Sequence, residues 1–270
     1  MDICVEICYN SHIKARGEQS VERYISVDRI LSKLDEHLGR NDYSSAERHL
    51  KYWLSEATAS RDLKAEIAVR NELMGLYRKL GREKEALDAA KSALDLVANE
   101  QISYQVGGAT TLINAATVYK AFGKAADAIE LFEQAKRIYE RELPENDGRL
   151  GGLYNNMALA MVDLERYDCA RDLYAKAIEV MKKTDGGELE IAITYLNLAS
   201  AAESELGLLE ADEYICECMD VAASLIDGEE KRDGYYAFVC EKCASVFGYY
   251  GRFVYENELK ERARRIYEGT

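Results

Sequence analysis

Between residues 71 and 219 the apolar and small side chains recur at helical spacing in paired segments. The units read NELMGLYRKLGREKEALDAAKSAL (71 to 94), INAATVYKAFGKAADAIELFEQAK (113 to 136), NNMALAMVDLERYDCARDLYAKAI (155 to 178) and LNLASAAESELGLLEADEYICECM (196 to 219). Within them Ala86, Ala128, Ala170 and Ala211 fall 42, 42 and 41 residues apart. Each segment pair is interrupted by a short turn, so each unit predicts two antiparallel helices. A further unit precedes these. Val27, Ile30, Leu31, Leu34 and Leu38 form one helical stripe, residues 39 to 43 turn, and a second stripe runs through Ala46, Leu50 and Trp53. From about Asp233 a last unit keeps Ala244, Phe247, Gly251 and Ala263, with Glu256 where the packing alanine belongs. The expected organisation is a capping segment at 1-26, five hairpins over 27-232, and a degenerate capping hairpin at 233-270. The capping segment rests on Ile3, Ile7 and Ile13, interrupted by Gly17.

This arrangement resembles the tetratricopeptide repeat family, in which a large residue is followed by a small one, an aromatic, a turn, an alanine, another large residue and a second small one. The third unit matches through Leu112, Ala116, Tyr119, Gly123, Ala128, Phe132 and Ala135. The fourth matches through Tyr154, Ala158, Met161, Tyr167, Ala170, Tyr174 and Ala177. The second departs at Met74, and the fifth ends on Cys218. Helices nest closely only where one of two facing side chains is small, which is the physical content of the alanine positions. A single hairpin cannot bury its apolar face, and stacking several makes a continuous core. The resemblance therefore implies an all-α fold, a right-handed α-solenoid of antiparallel helix pairs with about six helical hairpins. The phrases Leu-Tyr-Asn-Asn-Met-Ala (153 to 158) and Tyr-Leu-Asn-Leu-Ala (195 to 199) are similar to the long repeats of kinesin light chains, mainly over 106 to 226. The heptad coiled coil of those proteins is absent, so no motor role follows.

Turn chemistry supports the hairpins. Gly81, Gly123 and Gly251 are placed to bend the chain inside units, where a residue lacking Cβ costs least. Glu165-Arg166 stands where the fourth unit would have its glycine, and a different turn is expected there. Asp147-Gly148, Asp185-Gly186-Gly187 and Asp227-Gly228 mark reversals between units.

Composition changes the picture mainly by exclusion. Thirty-five basic against 49 acidic residues give a net charge of -14, which disfavours a nucleic-acid backbone as partner. No stretch approaches 18 uninterrupted apolar residues and the first ten carry no basic region, so a cytoplasmic protein without membrane attachment is expected. Seven cysteines in such a chain fit buried thiols in a reducing compartment. Cys4/Cys8 and Cys240/Cys243 have helical spacing, but His12, His37 and His49 do not complete a ligand set, and no metal or other cofactor is expected. Phosphate loops, nucleophile elbows and H-E-x-x-H are absent, and carboxylate pairs on charged helices are ordinary solvated faces, so no enzyme activity is expected.

Function then falls to the groove that the resemblance implies, lined by the first helix of each hairpin. Its expected residues are Asn71, Arg78, Lys79, Asn114, Lys120, Asn155, Asn156, Asn197 and Glu203. Arg78, Lys79 and Lys120 make the early part basic, and Asp163 and Glu203 make the later part acidic, a gradient that would orient a bound segment. Asn114, Asn156 and Asn197 form an asparagine column; an amide both donates and accepts, so it either reads a peptide main chain or ties neighbouring helices together. The expected partner is a protein or peptide carrying an acidic group. Nine of the chain's aromatics crowd the last 36 residues, Tyr235, Tyr249 and Phe253 among them. They either plug the core or support a homodimer, making a self-assembling scaffold the alternative function.

Overall fold

The computed structural model describes residues 25 to 100, 102 and 105 to 269, and the 1-26 cap lies almost wholly outside them. Among the described residues there are twelve helices and no strand. They are α1 (Val27–Gly39), α2 (Tyr43–Ser60), α3 (Leu63–Lys79), α4 (Glu83–Asn99), α5 (Val106–Ala121), α6 (Ala125–Glu142), α7 (Gly148–Asp163), α8 (Tyr167–Met181), α9 (Glu188–Leu206), α10 (Leu208–Gly228), α11 (Gly234–Tyr249) and α12 (Phe253–Glu268). Paired in order they give six hairpins, an all-α solenoid architecture. Contacts divide the chain into two compact units, with the boundary between Ile138 and Tyr139 inside α6.

In the N-terminal unit, α3 packs on α2, α4 and α5. Its core joins Ile30 and Leu34 of α1, Leu50 of α2, Met74 and Tyr77 of α3, Ala86 and Ala90 of α4, and Ala115 and Val118 of α5. In the C-terminal unit, α9 packs against α7, α8, α10 and α11. Ala86, Ala128, Ala170 and Ala211 are all buried, as close helix crossing requires. At the last crossing the small residue has changed helix. A Cβ on Gly248 of α11 would lie 2.2 Å from Glu256 Oε2 of α12, so this glycine makes the room that alanine makes elsewhere.

Most hairpins turn alike. Gly81, Gly123 and Gly251 have φ of 65°, 74° and 81°, and the next residue's N–H returns to a carbonyl five positions back: Arg82 to Tyr77, Lys124 to Tyr119, Arg252 to Phe247. Glu165 corrects the expectation of a different fourth turn. It takes φ 57° and the same bond forms, Arg166 N–H to Met161 O at 2.8 Å, so a glutamate tolerates the left-handed conformation in place of glycine. The turn that does differ is the fifth. Gly207, at φ 84° and ψ 159°, ends α9 and begins α10 as a one-residue link. That shortening accounts for the single 41-residue spacing.

Candidate functional site

The first helices of the hairpins bear nearly all the buried polar residues, because a helix packed between two neighbours and its own partner exposes little surface. Asn71, Thr110, Thr111, Thr117, Asn155, Asn156, Thr194, Asn197 and Ser200 all lie on α3, α5, α7 or α9 and are buried. Asn155, Asn156 and Asn197 retain only 1%, 2% and 1% exposure, and Asn71 8%. These amides tie adjacent first helices. Asn71 Nδ2 donates to Thr111 Oγ1 at 3.2 Å in the N-terminal unit. Asn197 Nδ2 donates to Asn155 Oδ1 at 3.3 Å in the C-terminal unit. The register of the column is thus set by Asn155 opposite Asn197, 42 residues on, rather than by Asn156. Each tie leaves one polar atom without a partner, Asn71 Oδ1 and Asn155 Nδ2.

The predicted residues divide between the units. Asn71, Arg78, Lys79, Asn114 and Lys120 belong to the N-terminal unit, and Asn155, Asn156, Asn197 and Glu203 to the C-terminal one. Arg78 and Lys120, 42 residues apart, occupy the last turns of the adjacent helices α3 and α5, and both are half-buried, as is Asn114. Lys79 is exposed and leans toward the start of α2, its Nζ 5.5 Å from the centre of the Tyr43 ring. Glu203 is half-buried, and its carboxylate accepts the hydroxyls of Tyr249 at 2.8 Å and Tyr250 at 2.7 Å. At the other end of α9, Glu190 Oε1 accepts the Tyr235 hydroxyl while its Oε2 is enclosed without a partner. Burial holds the Glu190 carboxyl above the usual carboxylate range, the tyrosine bond opposing this. Sequence reasoning missed both pairings of α9 with α11. The signal was available as tyrosines 45 to 47 residues beyond the two acids.

Elsewhere in the N-terminal unit, Glu47 Oε1 meets Lys51 at 2.7 Å and Oε2 meets Arg82 at 2.6 Å. The Lys51 and Arg82 hydrogen bonds hold its carboxyl down at about 2. Burial pushes the thiols of Cys218, Cys240 and Cys243 up, which favours their protonated form. Among the described residues no three His, Cys, Asp or Glu side chains gather as metal ligands, and no helix is long and apolar enough to cross a membrane.

Residues 66–141 match the family model described as tetratricopeptide repeat. Over that stretch the chain is similar to tetratricopeptide repeats. A solved structure of BtubC (BKLC) from P. vanneervenii is similar at 17% identity and TM-score 0.51, covering 91% of this chain and 92% of that one. At that identity the likeness is one of fold. Two structures of a Podosopora anserina putative kinesin light chain with nearly identical TPR-like repeats, one of them a substituted variant, each give 19% identity and TM-score 0.49 over 73% of this chain and 92% of theirs. Comparison with curated protein sequences gave no match. Tetratricopeptide repeats serve generally as scaffolds for protein–protein interaction.

Proposed function

We propose that the protein is a cytoplasmic adaptor whose N-terminal unit holds a segment of another protein, extended or helical, along the first-helix face of α3 and α5. What supports this reading is the recurrence of a cation, Arg78 then Lys120, at the same place on two adjacent helices of an otherwise acidic chain. Such a pair attracts an acidic side chain or a free carboxylate, since charge-assisted hydrogen bonds are the strong ones. Asn114, half-buried beside them, adds an amide able to meet a peptide group. Lys79 extends the positive field toward α2. The buried amide Asn71 fixes α3 to α5, which present this face, while Asn155 and Asn197 tie α7 to α9 in the C-terminal unit, where Asn156 is also buried.

Binding of an acidic peptide library to the wild type and to Lys120→Glu tests the proposal. Acidic ligands should be lost from the variant, and equal binding by both proteins removes Lys120 from the site. Self-assembly through the last hairpin is the second reading, favoured by exposed Tyr235, Tyr249, Phe253 and Tyr267. Light scattering of the full chain over a range of concentrations decides it, a monomer throughout excluding the homodimer.

A further inference from the structure

The apolar surface of the C-terminal unit is concentrated along one edge. Of the eleven exposed large hydrophobic residues among those described, six lie at the turns of the last two hairpins: Leu206, Leu208, Leu209, Tyr249, Phe253 and Val254. The two turns are neighbours, because Tyr249 and Tyr250, at the end of α11, bond to Glu203 near the end of α9. Counted from their N-caps, Gly207 and Arg252, Leu208-Leu209 and Phe253-Val254 occupy the same first two positions of α10 and α12. The corresponding pairs in the earlier hairpins are Tyr43-Ser44, Glu83-Lys84, Ala125-Ala126 and Tyr167-Asp168. Only the last two hairpins place two large apolar residues there, and Leu209 and Val254 are 87% and 85% exposed. Contiguous apolar surface of this kind on a soluble chain marks an interaction site.

Charge selects the occupant. From residue 184 to 230 the sequence has thirteen acidic residues and no lysine, arginine or histidine, while the other 223 residues hold 36 acidic against 35 basic. Essentially the whole net charge therefore resides in the α9–α10 hairpin and its flanks. Glu210, Asp212, Glu213 and Glu217, directly behind the Leu208-Leu209 pair, are exposed and form no ion pair among the described residues. Two arginines of this unit are already engaged, Arg171 with Asp168 and Glu205, and Arg252 with Asp220. A second copy of the chain would bring the same acids to the contact, and like charges opposed across an interface are costly.

We propose that this edge is a docking surface for a protein segment in which lysines or arginines flank large apolar residues. The apolar side chains lie over Leu206, Leu208, Leu209, Phe253 and Val254, and the cations meet the acids of α10.

Fluorescence anisotropy with the full chain tests it using three labelled synthetic peptides of equal length: a leucine/lysine amphipathic peptide, its leucine/glutamate counterpart, and a serine/lysine peptide of matched charge. The expected result is binding of the leucine/lysine peptide at least tenfold tighter than either control, weakening as salt is raised. The double variant Leu209→Ser, Val254→Ser and the double variant Glu210→Lys, Glu213→Lys should each lower that affinity at least tenfold. All four residues are exposed, and unchanged circular dichroism confirms that the variants fold. Equal binding of the serine/lysine peptide, or unchanged affinity in the folded variants, overturns the proposal. So does concentration-dependent dimerisation of the wild type that Leu209→Ser, Val254→Ser abolishes, which would make a second copy the occupant.

Discussion

Glu190→Gln should stabilise the C-terminal unit at neutral and alkaline pH. Glu190 Oε2 is enclosed without a hydrogen-bond partner, and only the Tyr235 hydroxyl supports the carboxylate through Oε1. A buried polar atom left unsatisfied costs about 1–3 kcal/mol, more when charged. Against this, the residue sits in the first turn of α9, where a negative charge gains about 0.3–1 kcal/mol from the helix dipole. Burial wins, which is why the carboxyl titrates above its usual range. The sign follows. Because the folded state binds the proton more tightly than the unfolded chain, ionised Glu190 destabilises above the folded pKa, and the penalty fades as pH falls through it. Glutamine retains the acceptor for Tyr235 and removes the charge, so a gain of about 1–2 kcal/mol is expected at pH 8. Urea unfolding followed by circular dichroism at pH 8, 6.5 and 5 measures it, with a gain that shrinks toward the acid end. A variant less stable than wild type at pH 8, or a difference independent of pH, would refute the reasoning.

Removing one amide of the buried tie, Asn197→Ala, leaves both polar atoms of Asn155 unpaired and should cost about 1–3 kcal/mol in urea unfolding. The double change to leucine at both positions should be milder, and a double variant worse than the single contradicts this. Glu165→Gly should raise the thermal midpoint, since a non-glycine residue in the left-handed region carries about 1–2 kcal/mol of strain; an unchanged or lowered midpoint counts against it. Glu47, with a folded pKa of about 2, stabilises above the ordinary carboxylate range and loses that contribution as pH falls toward 2. Glu47→Gln should therefore unfold earlier by Trp53 fluorescence at pH 7, with the gap closing as pH falls from 4.5 toward about 2.

The hairpins were legible because close helix crossing admits only small residues, so Ala86, Ala128, Ala170 and Ala211 had to recur. The fourth turn was misread for a physical reason. Glycine is the cheapest residue at positive φ but not an obligatory one, and a cost of about 1–2 kcal/mol at Glu165 is absorbed by the packing around it. The register of the asparagines was off by one between the fourth and fifth units. The deletion lies at Gly207, after the first helix, whereas alignment on Ala211 carried it back into α9. Arg78, Lys120 and Glu203 could be placed on first helices from periodicity alone. Their engagement could not: that Tyr249 and Tyr250 both reach Glu203 depends on how α11 leans on α9, which no local pattern encodes.

The amide ties between first helices also limit how freely such a chain can be rearranged. Asn71 is matched to a threonine and Asn155 to an asparagine, while the corresponding residue of α5 is Ile113. Exchanging or duplicating hairpins in evolution or by design would set an amide against an aliphatic neighbour and strand its hydrogen bond. Despite their common rhythm, the hairpins joined by these ties are keyed to their places, and a gene that shuffled them would encode a weaker protein than its repeat pattern promises.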